Sequence, residues 1–217
     1  MAVRAWKRNL AALLVAAANA GFAAAEGVWD ASFDPVKKER FIPVELWTGA
    51  EWDGARELKM APADTRFGDR GHKRIKGPVE WKHPKTGQTF VVYERTLEEE
   101  KGGVKFELFA MNEAKSGLGR VYDSRTSLGV RSFSGGLKFP LGAWKQGETR
   151  QLIEKRYEGG KIGSRMERIT ITKLDFIYAG AAHCLEFDWE YRDGAKLVDY
   201  QTYTYCPNLA MVKQVQH

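Results

Sequence analysis

Between Leu185 and Tyr191 apolar and acidic side chains alternate without a break. Leu185, Phe187, Trp189 and Tyr191 share one parity, and Glu186, Asp188 and Glu190 share the other. A period of two predicts a strand with one covered face. Asp193-Gly194 supplies a turn, and Lys196 to Cys206, rich in Val, Tyr and Thr, predicts the returning strand. Pro207 and Asn208 stop it, and Leu209 to Val215 predicts its resumption. Upstream, Thr149 to Glu158, a Gly159-Gly160 turn and Ile162 to Leu174 predict two more strands. Ile169 and Ile171 share a parity that Leu174, Phe176 and Tyr178 abandon, so a bulge or bend is expected near Thr172-Lys173.

The first half is less regular. Asp34 followed by Pro35 predicts the start of a short helix. Phe41 to Trp47, a turn at 48–50 and Glu51-Trp52 read as strand, turn, strand. Gly54 to Gly77 lacks periodicity and reads as loop. Val79 to Lys82 and Thr89 to Arg95 flank a His83–Gly87 turn. Val104, Phe106, Leu108 and Ala110 alternate as a core face. Residues 111–142 carry six glycines and read as a loop-rich middle with short β pieces. Together these patterns predict an all-β, mainly antiparallel fold: a curved sheet or partly closed barrel with few short helices.

The Trp144-x-x-Gly147 start, Tyr178-Ala179-Gly180 ahead of Leu185-Glu186-Phe187, and Tyr205-x-Pro207 followed by Met211-Val212-Lys213 carry a family likeness. Over about a third of its length the chain resembles exported β proteins of unknown function with lipocalin-like folds. The resemblance implies a fold and no reaction.

Composition adds a compartment. Arg4, Lys7 and Arg8 precede an apolar run from Leu10 to Ala18, and Ala23-Ala24-Ala25 offers a cleavage site. Residues 1–25 therefore read as a signal peptide cleaved after Ala25, giving a periplasmic or extracellular protein. Residues 26–217 read as one β-rich domain. The apolar run is shorter than the roughly 20 residues a membrane span needs, and no later segment is apolar enough, so no transmembrane segment is expected. The full chain is +6; without the signal's three basic residues, 31 Lys+Arg face 28 Asp+Glu, a net +3. That is too little to argue for nucleic acid. Cys184 and Cys206 are the two cysteines. In an exported protein an isolated pair is most simply a disulfide; two separate buried thiols are the competing reading. A tight Asp193-Gly194 loop would leave Cys184 opposite Tyr203, so bonding requires a register shift of three.

Candidate chemistry is sparse. Glu186, Asp188 and Glu190 lie about 7 Å apart along one strand face, within the carboxylate spacing of inverting glycosidases. They are the catalytic candidates of a glycan hydrolase; the structural alternative is a charged solvent face paired across strands. Trp47 and Trp52, beside Glu51 and Asp53, are either sugar platforms or indoles closing a core. From Arg66 to Lys85 seven basic residues face two acids, so Arg66, Arg70, Lys73 and Arg74 are candidates for holding an anionic group; the alternative is a solvated loop. Cys184 shares the acids' parity, so either that face is interior or a disulfide staples an exposed face. No nucleophile motif, metal-ligand spacing or cofactor motif is present. The expectation is an exported cell-envelope binding or structural module without catalysis, taking a lipid, glycan or envelope protein as ligand or partner. A glycan hydrolase is the alternative.

Overall fold

In the computed structural model the described residues are 33–48, 58–59, 72–98, 104–125, 129–206 and 210–217. The segment read as a signal peptide, and Trp52, Arg66 and Arg70, lie outside them. The fold is antiparallel β. A small sheet pairs β1 (Phe33–Asp34), β2 (Glu39–Ile42) and β10 (Gly142–Lys145). A 12-stranded sheet holds β3 (Leu58–Lys59), β4 (His72–Lys82), β5 (Thr89–Glu98), β6 (Val104–Met111), β7 (Gly117–Arg125), β8 (Gly129–Phe133), β11 (Thr149–Glu158), β12 (Lys161–Tyr178), β13 (Ala181–Asp193), β14 (Lys196–Cys206) and β15 (Ala210–Gln216), with β9 (Phe139–Pro140) beside β7. Its order follows the chain from β3 to β15, and those two strands do not pair with each other, so the sheet stays open.

The sheet is nevertheless strongly curved. Six strand spacings separate β6 from β14, about 29 Å if flat. Yet the Phe139 ring lies 5.3 Å from Phe109 of β6 and 6.3 Å from Tyr203 of β14. The concave face therefore wraps around one core: Phe109, Leu118, Ile169, Ile171, Leu185, Phe187, Trp189, Tyr191, Tyr203 and Tyr205. Bulges supply the bend, among them the register shifts that follow Ile171 and Lys173, where burial changes parity from Ile171 to Leu174. Gly159 and Gly160, at φ +53° and +78°, make the expected β11–β12 turn.

Several expectations change. Asp34 does cap Val36 and Lys37 through Oδ1, at 3.0 Å each, but Lys38 takes φ +50° and the chain returns as a hairpin instead of entering a helix. The strand expected through Trp47 ends at Ile42. After Pro43 the chain forms one helical turn, α1 (Glu45–Thr48), which drops Leu46 and Trp47 into the core. Residues 72–77, expected as loop, belong to the strand His72–Lys82, in whose register Lys76 stands opposite Glu94 and His72 opposite Glu98. The glycine-rich middle is largely strand. Gly119 and Gly136 cross so closely that a Cβ on Gly119 would sit 2.2 Å from the Gly136 backbone.

Cys184 and Cys206 form a disulfide, with Cα atoms 4.2 Å apart. The required shift of three has two sources. The turn residues are Gly194-Ala195, since Asp193 pairs with Lys196, which moves the pairing by two. A bulge between Tyr191 and Arg192 adds the third, so Leu185 meets Tyr205 and the cysteines follow.

Candidate functional site

Both faces of β6 are covered. Leu108 and Ala110 pack with Val92 and Val121 on the convex side, beside Trp81, Phe90, Phe106 and Tyr122. The concave parity carries Lys105 and Glu107 ahead of Phe109. Glu107 is 1% exposed and pairs with Arg95, with Lys105 at 2.8 Å and with Arg120 at 3.1 Å. Arg120 also meets Asp123 at 2.9 Å, and Asp123 takes both arms of Arg131 at 2.8 Å. Arg165 of β12 lies between Glu154 of β11 and Glu167, the latter at 2.8 Å. Burial opposes ionisation of Glu107, but Arg95 and the other cations outweigh it and hold its carboxyl well below the usual range. Glu154 goes the other way: burial, then the Glu167 charge, push its carboxyl well above that range. Lys138, whose Nζ sits 4.4 Å over the Trp189 ring, is pushed well down by burial and then by Arg120.

Among the described residues a groove of about 750 Å³ opens between β7 and β11. Phe90, Ala110, Val121 and Leu137 line it, with Arg150 to Glu154 of β11 as one wall and Met111 to Ala114 of the β6–β7 turn as rim. The groove exists because the sheet splits. β8 fills the interval between β7 and β11, pairing with 122–125 on one side and 156–158 on the other, then ends at Phe133. Ser134 makes one more rung: its N–H donates to Lys155 O at 3.0 Å, and Lys155 N–H donates to Ser134 Oγ at 2.9 Å. Beyond it the chain leaves the sheet plane. Gly136 packs against Gly119, and Leu137 N–H donates to Glu167 Oε2 at 2.6 Å.

Lys155 turns its N–H and C=O toward β8. By the two-residue period so do Ile153 and Gln151, and among the described residues those groups have no partner. Ile153 is 69% exposed. The far end of the groove is closed by the β4–β5 turn. His83 Nδ1 accepts from Lys85 N–H and Thr86 N–H, both at 3.1 Å, which places the ring proton on Nε2. The ring lies 5.3 Å from Tyr157 of β11 and so ties the hairpin to that strand.

The residues singled out in the sequence lie elsewhere. Trp47 is buried; its Nε1 donates to Pro140 O at 2.8 Å, and its ring meets Phe139, Phe187 and Tyr205. Lys73 and Arg74 stand on β4 opposite Leu97 and Thr96. Glu190 takes Arg168 and Arg192, Glu186 takes Lys173 at 3.1 Å and Thr172, and Asp188 accepts from Tyr200 and Thr202. These carboxylates are engaged across strands opposite the buried Trp189, and none of these residues lines the groove. Cys184 is fully buried despite sharing their parity, because β12–β13 pairing is irregular at that end. Among the described residues no group of His, Cys, Asp or Glu is placed to hold a metal ion. Sequence reading passed over the groove walls. The signal was there: in β11, Leu152 and Ile153 are consecutive apolar residues followed by Glu154, which breaks a simple apolar–polar alternation. No family model, curated protein or solved structure matches this chain, so the geometry carries the functional reading.

Proposed function

We propose that the chain is an exported binding module of the cell envelope that holds an amphipathic ligand in the groove between β7 and β11. The observation that carries this reading is the groove itself. Its volume of about 750 Å³ falls in the range of small-molecule sites, and its apolar floor is rimmed by polar groups. Phe90, Ala110, Val121 and Leu137 would cover the apolar part of the ligand, and Glu113, Asn112 and Arg150 would face its polar part. The disulfide is compatible with an oxidising compartment. The carboxylates of β13 favour this reading over glycan hydrolysis, since each is tied to a cation or hydroxyl on a neighbouring strand.

Gly135 gives the test. It lines the groove, and a Cβ added there meets nothing within 4 Å. Gly135→Leu should fill the groove without displacing the fold. Titration with lysophospholipid monomers and with amphipathic peptides should show saturable binding to the wild type, lost in Gly135→Leu at unchanged melting temperature. Equal binding by both proteins would refute the site.

A further inference from the structure

The groove reading leaves open what kind of molecule enters. We propose that its occupant is an extended polypeptide segment that pairs with β11 as an added strand, alternate apolar side chains resting on Ala110, Val121 and Leu137. This rests on the groove being a binding site and names the class of ligand.

The wall decides the class. Gln151 and Ile153 present N–H and C=O groups toward the groove with no partner among the described residues. An acyl chain or a sugar ring supplies no donors and acceptors repeating at the strand period of about 7 Å per two residues, whereas another strand supplies both. The neighbouring strand agrees. Further along, β8 pairs with both β7 and β11, so this edge of β11 already accepts a strand. Past Ser134 the chain returns to β7 as β9, opposite Gly117 and Leu118, and leaves the β11 edge to an added strand. The free stretch of β11 from Thr149 to Ile153 gives room for about five residues, roughly 17 Å. No described strand covers this edge, and Ile153 stands exposed beside it.

Charge narrows the segment. Glu113 lines the rim and makes no ion pair among the described residues. Arg150, at the other end, is already held by Glu148 at 2.7 Å and stacked on Trp144. Glu154, in the wall, is 4% exposed and already paired with Arg165. Glu113 is therefore the lining acid without a described counter-ion, and the segment that fits is apolar at alternate positions with a Lys or Arg near Glu113.

The probes are capped octapeptides alternating Val and Thr with one Lys at either end, their forms N-methylated at the residues facing β11, and monomeric lysophospholipid. The readout is the amide and methyl NMR spectrum of the full chain. The peptides should shift the Gln151 and Ile153 amides saturably, and the N-methylated forms should bind about tenfold or more weakly, since each blocked N–H removes one strand bond. Ile153→Pro should fold, because the lost N–H has no described partner, and should no longer bind the peptides. Lysophospholipid moving the Val121 and Leu137 methyls while the peptides, tested to about 1 mM, move nothing would overturn the peptide assignment and leave the groove standing. No probe moving either set would overturn both. N-methylated peptides binding as tightly as the parents, or Ile153→Pro binding normally, would overturn strand pairing.

Discussion

Ser134 and Lys155 share two hydrogen bonds that form the last rung between the β8 line and β11. Ser134 serves because its hydroxyl replaces a backbone acceptor at the residue where the chain leaves the sheet. Ser134→Ala should remove one of the two bonds and destabilise the fold by about 1 kcal/mol. Hydrogen exchange should speed up at the Lys155 amide and remain slow at Arg156 and Tyr157. Unchanged exchange at Lys155 would show that another group holds it.

Two buried glutamates should respond to the same substitution with opposite sign. Glu107→Gln leaves Arg95, Lys105 and Arg120 around a neutral amide and should cost about 3–5 kcal/mol at pH 7. The folded Glu107 carboxyl titrates well below the unfolded one, so its stabilisation is present above about pH 4.5 and is lost as pH falls through the folded value. Glu154 titrates above its unfolded value, so its contribution declines as pH rises from about 4.5 through the folded value. Glu154→Gln should therefore be neutral or stabilising at pH 8. Urea unfolding of both variants at pH 5 and pH 8 checks the signs.

His83 sets a third pH dependence. Burial lowers its pKa against the opposing pull of the Phe133 backbone, so the folded state prefers the neutral ring. Its contribution to stability is present at neutral pH and is lost as pH falls below about 6.5, where the unfolded ring takes a proton that the folded one refuses. His83→Gln should flatten the stability profile between pH 7 and pH 5. A profile indistinguishable from wild type would remove His83 as the tie between the β4–β5 turn and β11.

The disulfide closes a loop of 22 residues. Cys184→Ala together with Cys206→Ala should cost about 3 kcal/mol, largely by freeing the unfolded chain. Because Leu185 pairs with Tyr205 without help from the sulfur atoms, the β13–β14 register should survive, as cross-strand NOEs would show.

The β11–β15 meander was legible because its strands keep a clean period of two, and even the cysteine register followed from the requirement that the sulfur atoms meet. Two features hid the remainder. Residues 72–77 read as loop because they lack a clean period and carry Lys73, Arg74 and Lys76, yet they form the first half of β4 through pairing with β5, where Lys76 stands opposite Glu94. The glycines of 111–142 read as breaks between short β pieces, whereas Gly119 lies inside β7 and is required by a backbone crossing at Gly136 that no local pattern reveals. The groove was illegible for a related reason. It is defined by where β8 stops and which β11 groups go unpaired, and pairing between distant strands is not written in the period of either one.

The most direct measurement is amide hydrogen exchange along β11 in the free protein. Leu152 and Glu154, which turn their amides toward β12, should exchange slowly, while Gln151 and Ile153 should exchange close to the rate of an unstructured chain. Protection of Gln151 and Ile153 equal to that of their neighbours would mean the edge is already paired, and the open slot on which the binding account depends would not exist.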